Sequence, residues 1–411
     1  MMPWDKEPWL ELSGRSKKEQ PEIPWVLEVE YWALDTDLNA LSVGDHIRTL
    51  QLGPEAAGGK STQADPELAR RALIESLEAV LNALEGPDLL FILAGLGGGV
   101  GAGVTPLIAE LAQGQLTLTY VTMPSLREAA TTRQIAIKSL ESLQDKGDSV
   151  VVVPVDEVDL SDDELALDLE GAYKAAHSLI GMGIRMIMNL AFSPHPTWFD
   201  PTDLNNILQK SGLARLGFGQ AEGGNRTERA TSQALYSSSI GNTIDQAKQF
   251  LVSGVWNNFR AAVSQEGNSM CGVLNAGLTQ DSISYGVHCE EAVREEEALV
   301  LIYALGLPDI GGLYANQITP PVIRDRKRPL IMQASSKEGL NIAFIGPPGS
   351  GKACLVSSFY GYQQSPQFLH SKGYGLRALG SDELIQQYNG IASGHLPLST
   401  SSFRSHSFDF V

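Results

Sequence analysis

The sequence predicts an α/β fold, a parallel β-sheet covered by helices on both faces. Two observations carry this expectation. The runs Asp88–Ala94, Leu116–Thr122 and Ser149–Pro154 are short and almost continuously apolar, the last holding four consecutive valines, as in strands buried on both sides. Segments with apolar residues at helical spacing lie between them, and this strand–helix alternation is the pattern of a parallel sheet.

In chain order, residues 1–24 are polar, punctuated by Pro3, Pro8, Pro21 and Pro24, and read as a tail. Residues 25–167 form the first domain. Trp25–Leu34 is its opening strand. Asp65–Leu84 has helical spacing, with Asp65 placed to cap it and Pro66 suited to the first helical position. After Asp88–Ala94 come a glycine loop and a helix at Thr105–Gln113, then the strand Leu116–Thr122, a helix at Arg127–Gln144 and the strand Ser149–Pro154. Residues 168–194 form one long helix, with Asp168–Leu190 apolar-periodic. Residues 195–308 form a smaller α+β second domain, with helices expected near Asp203–Ser211 and Asn242–Ala262. Strands are expected there near Cys271–Leu274, Ser282–His288 and Ala298–Leu305. Residues 309–338 carry prolines and the basic run Arg324–Arg328 and read as a linker. A new strand–loop–helix begins in residues 339–411.

Composition narrows the function. The chain has 411 residues, is 43% hydrophobic and carries a net charge of -18. A general nucleic-acid binder needs a basic footprint, so nucleic acid is not expected as a partner. No apolar run reaches the roughly 20 residues needed to span a bilayer, and no transmembrane segment is expected. Three cysteines are too few and too scattered for a disulfide framework or a metal site. A cytoplasmic location is the expectation.

The most informative segment is Leu90-Phe-Ile-Leu-Ala-Gly-Leu-Gly-Gly-Gly-Val-Gly-Ala-Gly103, with six glycines from Gly95 to Gly103. Glycine lets a backbone approach a ligand closely and take positive φ. The N–H groups of such a loop, with the N-terminus of the helix after it, form an anion site. A flexible turn is the plain alternative. The dinucleotide fingerprint fits only permissively, through Gly97, Gly99 and Ala102, and lacks the acidic residue that should follow. No Gly-Lys-Ser/Thr follows either, so the loop is not a Walker A motif.

The run Gly97-Gly98-Gly99-Val100-Gly101-Ala102-Gly103 resembles the phosphate loop of the tubulin/FtsZ superfamily, with Val100 and Ala102 in place of its two threonines. The resemblance continues over roughly residues 25–240. Ala33–Leu41, holding Asp35, Thr36 and Asp37, is similar to the FtsZ segment beside the nucleotide. Gly58-Gly59 and Ala64–Glu67 look like the next loop and helix start. Val121–Pro124 resembles the Val-Thr-x-Pro turn, with Glu128 four residues after Pro124 and the ribose-side arginine displaced by one position to Arg133. Val153–Asp156 resembles the turn before the central helix. Tyr173 stands where FtsZ stacks a phenylalanine on the base, and His177 where an aspartate reads guanine; a spacing of four puts both on one helix face. Phe199–Leu204 resembles the loop by which one subunit reaches its neighbour's nucleotide, which implies a catalytic role for Asp200 and Asp203. Carboxylates suit that role as acceptors for water protons and as oxygen ligands for Mg²⁺; Asp200 or Asp203 also suits a helix cap.

The resemblance implies a three-layer tubulin/FtsZ-like nucleotide-binding domain, GTP/GDP and Mg²⁺ as cofactors, GTPase activity, and a homo-oligomer or filament. A scaffold or switch that binds nucleotide without efficient turnover is the alternative. Three departures stand out. Trp198 replaces the asparagine before Asp200. Val155 and His177 replace the groups that recognise guanine. The strand and glycine loop with which the family begins have no counterpart in residues 1–24.

A second motif lies near the C-terminus. Asn341–Ile345 reads as a strand, and Gly346-Pro-Pro-Gly349-Ser350-Gly351-Lys352 has Walker A spacing. Backbone amides and Lys352 would hold the phosphates of ATP or GTP. Ala353 replaces the Ser/Thr that would ligate Mg²⁺. Few residues follow for a domain of ordinary size, so a partial P-loop unit is expected, with Asp409 a Walker B candidate and a partner covering its open sheet edge. A third reading makes this P-loop the working NTPase site.

Overall fold

The computed structural model describes residues 29–43, 47–112, 114–158, 168–192, 201–237, 239–258, 265–279, 282–290, 293–308, 340–345, 376–379 and 407–410. Its frame is a ten-stranded sheet. The elements of the first half are β1 (Val29–Asp35), β2 (Arg48–Gln51), α1 (Pro66–Glu75), α2 (Leu77–Leu84), β3 (Leu89–Gly95), α3 (Gly99–Leu111), β4 (Leu116–Met123), α4 (Ala130–Leu143) and β5 (Ser149–Pro154). A 3-10 turn, Val155–Glu157, follows β5. The second half holds α5 (Leu169–Phe192), α6 (Pro201–Leu208), β6 (Gly212–Glu222), α7 (Arg226–Leu235), β7 (Gln249–Trp256), α8 (Gln265–Gly277), β8 (Ile283–Cys289) and β9 (Glu297–Leu307). The C-terminal strands are β10 (Leu340–Ile345), β11 (Leu376–Leu379) and β12 (Ser407–Phe410).

Strand order is β2-β1-β10-β3-β4-β5-β6-β9-β7-β8. From β2 to β6 all neighbours are parallel; β9 is antiparallel to both β6 and β7. The apolar strands divide their side chains between two faces, as a pleat requires. On β3, Leu89, Phe91 and Leu93 join the cluster around α5, whereas Leu90, Ile92 and Ala94 join the cluster around α1–α4. On β5, Val151 and Val153 go to the first cluster and Val150 and Val152 to the second. A third cluster packs α7 and α8 on β7 and β9.

Local chemistry explains the helix boundaries. The Asp65 carboxylate accepts the Glu67 and Leu68 N–H groups at 3.0 and 3.2 Å, so the expected cap forms. The expected single helix 65–84 breaks at Ser76, whose hydroxyl accepts the Gly53 N–H at 2.9 Å and ties the break to the loop after β2. In α3, Pro106 has no N–H for the Ala102 carbonyl; the Ser139 hydroxyl of α4 donates to that oxygen at 2.8 Å instead.

Two expectations in the second half are corrected. Asn242–Ala262 is not a helix: Gly241–Gln246 is a short 3-10 turn and Gln249–Trp256 is strand β7. The run Phe250-Leu-Val-Ser-Gly-Val-Trp256 is apolar throughout because β7 lies between two other strands with both faces covered, a pattern that periodicity cannot separate from a buried helix. Cys271–Leu274 is not a strand but part of α8. The long helix α5 and the strands near 282–288 and 298–305 lie where expected.

The C-terminal strands divide. β11 and β12 pair antiparallel in a sheet of their own. β10 instead enters the large sheet, parallel to β1 on one side and to β3 on the other. The stretch Gly346–Ala353, with Gly349, Ser350, Gly351 and Lys352, lies outside the described residues.

Candidate nucleotide site

At the carboxyl end of β3 the chain passes through Gly95–Gly98 directly into α3, which begins at Gly99, earlier than expected. Gly98 is the N-cap, and its carbonyl accepts the Ala102 N–H at 3.1 Å. The first N–H groups of α3 therefore have no partner within the helix, so this end presents free donors and a positive field of the kind that suits an anion.

The glycines serve close packing. A Cβ on Gly99 would sit 2.2 Å from the Thr62 Oγ1, one on Gly101 2.0 Å from the Gly95 carbonyl, and one on Gly103 2.2 Å from the Pro66 carbonyl. None of the residues 95–103 has positive φ, contrary to the expectation for this loop. The positive φ values nearby belong to Gln63 and Ala64, at 49° and 62°, in the turn that presses on the start of α3. Val100 is buried in the α1–α4 cluster, and Ala102 is buried beside it. Their side chains serve packing, so backbone N–H groups are what this loop offers a ligand.

Around the loop, several expected residues converge. Gly97 is packed against Thr132 of α4, its built Cβ lying 2.7 Å from the Thr132 methyl and 3.5 Å from Pro124. Arg133 stands in the first turn of α4, half-buried, with Nε lacking a hydrogen-bond partner. Beyond Pro124, the Ser125 N–H and the Tyr173 hydroxyl both donate to Glu128 Oε1, at 2.9 and 2.7 Å. The Ser125 hydroxyl and Leu126 N–H donate to the two oxygens of Asp156, at 2.6 and 2.5 Å. This network joins the carboxyl ends of β4 and β5 to the first turns of α5. Tyr173 and His177 lie with ring centroids 6.0 Å apart at 41°, as their spacing of four predicts. Burial pushes the His177 imidazole down to about 4, so it is neutral at pH 7 and can give or take one hydrogen bond, not the pair that a carboxylate accepts.

That depressed value has a stability consequence. Below the unfolded pKa the unfolded chain takes up a proton that the folded site refuses. The folded state therefore loses stability from His177 as pH falls from about 6.5 to about 4, and nothing further below that. His177→Gln is expected to narrow the gap between denaturation midpoints measured at pH 7.5 and pH 5. Equal gaps in the two proteins would assign the acid sensitivity elsewhere.

At the end of β1, Asp35 and Thr36 are buried. The Asp35 carboxylate accepts the Asp37 N–H at 3.1 Å, and Asp37 accepts the Asn39 N–H at 2.9 Å. Thr36 Oγ1 is buried without a partner. Thr62, Ser125 and Thr132 are contributors that sequence reasoning missed; their only signal was position next to the motifs.

The structure does not bring Asp203 to this site. It is exposed in the first turn of α6. Tyr173 is in the first turns of α5 and Asp203 follows its far end; the stretch of α5 from Tyr173 to Phe192 spans about 29 Å. Behind α6, the Lys210 and Gly212 N–H groups bond to Asp148, just before the start of β5. Asp203 is thus at the amino edge of the sheet and the glycine loop at the carboxyl edge. Asp200 lies outside the described residues. Among the described residues no group of three or more His, Cys, Asp or Glu side chains could hold a metal ion. No helix among them is long and apolar enough to cross a membrane.

Residues 26–159 match the Tubulin/FtsZ family, GTPase domain. Of solved structures, that of a point mutant of FtsZ from M. jannaschii superposes with a TM-score of 0.61 at 25% identity, covering 73% of this chain and 86% of that one. The fold is FtsZ/tubulin-like. The fold likeness extends to "CetZ2 from Haloferax volcanii - GTPgS bound protofilament", with a TM-score of 0.56 at 20% identity, over 68% of this chain and 84% of that one. In sequence, the FtsZ/tubulin-like chain is 32% identical over 232 residues to the cell division protein FtsZ of Aquifex aeolicus (strain VF5), 56% of this chain and 62% of that protein. It is 33% identical over 223 residues to FtsZ of Methanothermobacter thermautotrophicus, 54% of this chain and 58% of that protein. The chain thus spans about three-fifths of the length of these curated relatives.

Proposed function

We propose that the chain binds GTP and GDP at the carboxyl ends of β1, β3 and β4, with the phosphates on the N-terminus of α3. The observation that carries this is the direct passage from buried strand through Gly95–Gly98 into a helix whose first N–H groups have no partner within the helix. Tyr173 provides a face for the base, and Glu128, held by Ser125 and Tyr173, an acceptor near the sugar. Mg²⁺ would neutralise phosphate oxygens and help polarise the attacking water. The match of residues 26–159 to the Tubulin/FtsZ family, GTPase domain, supports the choice of guanine nucleotide.

We further propose that hydrolysis is completed between copies. Asp203 lies toward the amino edge of the sheet and the glycine loop at its carboxyl edge, so a neighbour stacked head-to-tail would receive it. Such a heterologous contact repeats into a filament. The protofilament named in the CetZ2 structure supports this arrangement. The buried methyl groups of Val100 and Ala102 favour a second reading, a nucleotide-binding switch with little turnover.

Turnover per chain against protein concentration separates the two. Shared-site hydrolysis rises faster than linearly with concentration, and Asp203→Ala lowers it roughly 100-fold or more, the usual cost of losing a positioned acid–base group. Turnover linear in concentration and indifferent to Asp203→Ala would sink catalysis between copies. Tight GTP binding without turnover would favour the switch.

A further inference from the structure

The turn that follows β4 is held from outside by a residue of the next strand's turn. Residues 125–128 close on themselves, with the Glu128 N–H donating to the Ser125 carbonyl at 3.0 Å. Asp156, in the 3-10 turn after β5, grips this turn with both carboxylate oxygens. Oδ1 accepts the Ser125 hydroxyl at 2.6 Å, and Oδ2 accepts the Leu126 N–H at 2.5 Å. The Ser125 oxygen in turn accepts the Arg127 N–H at 3.1 Å. Ser125 is fully buried. A buried hydroxyl that donates to one group and accepts from another has its orientation fixed at both ends, so the whole turn is fixed with it.

What the turn fixes is the Glu128 carboxylate. The Ser125 N–H reaches Oε1 at 2.9 Å, and the Tyr173 hydroxyl reaches the same oxygen at 2.7 Å. These donors come from two different elements, the turn after β4 and the first turns of α5. Together they set both the place and the rotation of the carboxylate. Neither bond uses Oε2, and Glu128 is only half-buried, so that oxygen keeps its capacity to accept from a donor outside the protein.

The held carboxylate belongs to the edge that carries the glycine loop. The Leu96 N–H donates to the Thr122 carbonyl at 3.1 Å, and the built Cβ of Gly97 lies 3.5 Å from Pro124, directly before the turn. The second donor sits on the ring that lies beside His177. One hydroxyl therefore ties the aromatic face offered to a base to the acceptor offered to a sugar.

We propose that Asp156, Ser125 and the Tyr173 hydroxyl are positioning groups that hold Glu128 Oε2 for a sugar hydroxyl, and that they make the site selective for ribonucleotides over nucleotides without sugar hydroxyls. This inference rests on the nucleotide reading above. Asp156 and Ser125 act without touching the sugar: Asp156 fixes the turn, the turn and Tyr173 fix Oε1, and Oε2 accepts the sugar O–H. A site arranged to hydrogen-bond a hydroxyl disfavours an analogue that lacks it, because the acceptor is then desolvated without a partner.

The test uses the full chain as wild type, Glu128→Ala, Asp156→Asn and Tyr173→Phe, each titrated with GDP and with 2′,3′-dideoxy-GDP. Wild type should bind GDP roughly 10- to 100-fold more tightly than the dideoxy nucleotide, the worth of a hydrogen bond to a charged group. Glu128→Ala should lose that preference. Asp156→Asn and Tyr173→Phe should each weaken GDP binding roughly 3- to 10-fold, the net worth of one hydrogen bond, and leave binding of the dideoxy nucleotide as in wild type. Tyr173→Phe keeps the ring and removes only the donor, so it decides alone if Asp156→Asn does not fold. Equal weakening of both nucleotides in the positioning variants would mark a merely structural role and overturn the proposal. Equal affinities of the wild type for the two nucleotides would overturn it too, while leaving the nucleotide reading intact. Failure of the wild type to bind GDP at all would strike that underlying reading, and the proposal with it.

Discussion

Arg215→Ala is expected to destabilise the fold by about 3–5 kcal/mol, the usual cost of leaving one member of a buried ion pair unpaired. Arg215 on β6 is 1% exposed, and its Nη1 lies 2.5 Å from Oε2 of Glu157 in the turn after β5. The same nitrogen donates to the Ser239 carbonyl at 3.2 Å. The pair joins the turn after β5 to β6, the first strand of the second half. Removing the guanidinium leaves the Glu157 carboxylate buried with no cation beside it, and its Oε1 already lacks a partner. Removing both charges is a different matter, since an apolar pair of similar volume restores packing without an orphaned charge. Arg215→Met with Glu157→Leu should therefore recover most of the loss. Denaturant unfolding of the two single variants and the double variant measures this coupling. Additive losses would show that the pair contributes through packing alone.

Gly101→Ala is expected to cost about 1–3 kcal/mol, the range for forcing an extra carbon into a packed site. It should also weaken nucleotide binding, because the added Cβ would sit 2.0 Å from the Gly95 carbonyl and the first turn of α3 must move to admit it. The same change at Gly181 of α5 meets no atom within 4 Å and should stabilise by roughly 0.5–1 kcal/mol through helix propensity alone. Opposite signs for one chemical change would show that Gly101 is required by close approach. Matching stabilisation at both positions would show that the start of α3 is not held against β3.

These glycines also show how far the sequence could be read. The density of glycine after Leu90–Ala94 marked a strand-to-helix passage with a bare helix N-terminus, because few other demands gather so many glycines between a strand and a helix. Their reason was not readable: they admit Thr62, Gly95 and Pro66 against α3, contacts that arise only when segments distant in the chain meet. The capping chemistry of Asp65 and the i,i+4 pair Tyr173–His177 were legible because both are local. Strand β7 was not, since a strand covered on both faces carries no alternation to distinguish it from a helix. The strand β6 and the helix α7 passed unnoticed in a stretch rich in Gly, Ala and Arg. Gly217 and Gly219 of β6 lie against α7 so closely that an added Cβ would meet the Ala234 and Ala230 carbonyls at 2.2 and 1.9 Å. Strand β10 was read correctly as a strand, but its partners could not be, because parallel pairing across so much sequence leaves no local trace.

The claim that the Gly97–Gly103 segment holds the phosphates of a guanine nucleotide is tested most directly by hydrogen exchange of the full chain with and without saturating GTP and Mg²⁺. The amides of residues 95–101, which have no helical partner or only the first ones, should exchange markedly more slowly when GTP is bound, while exchange in α8, at the other end of the sheet, stays unchanged. GTP that fails to bind, or that binds and leaves the exchange of residues 95–101 unaltered, would contradict it.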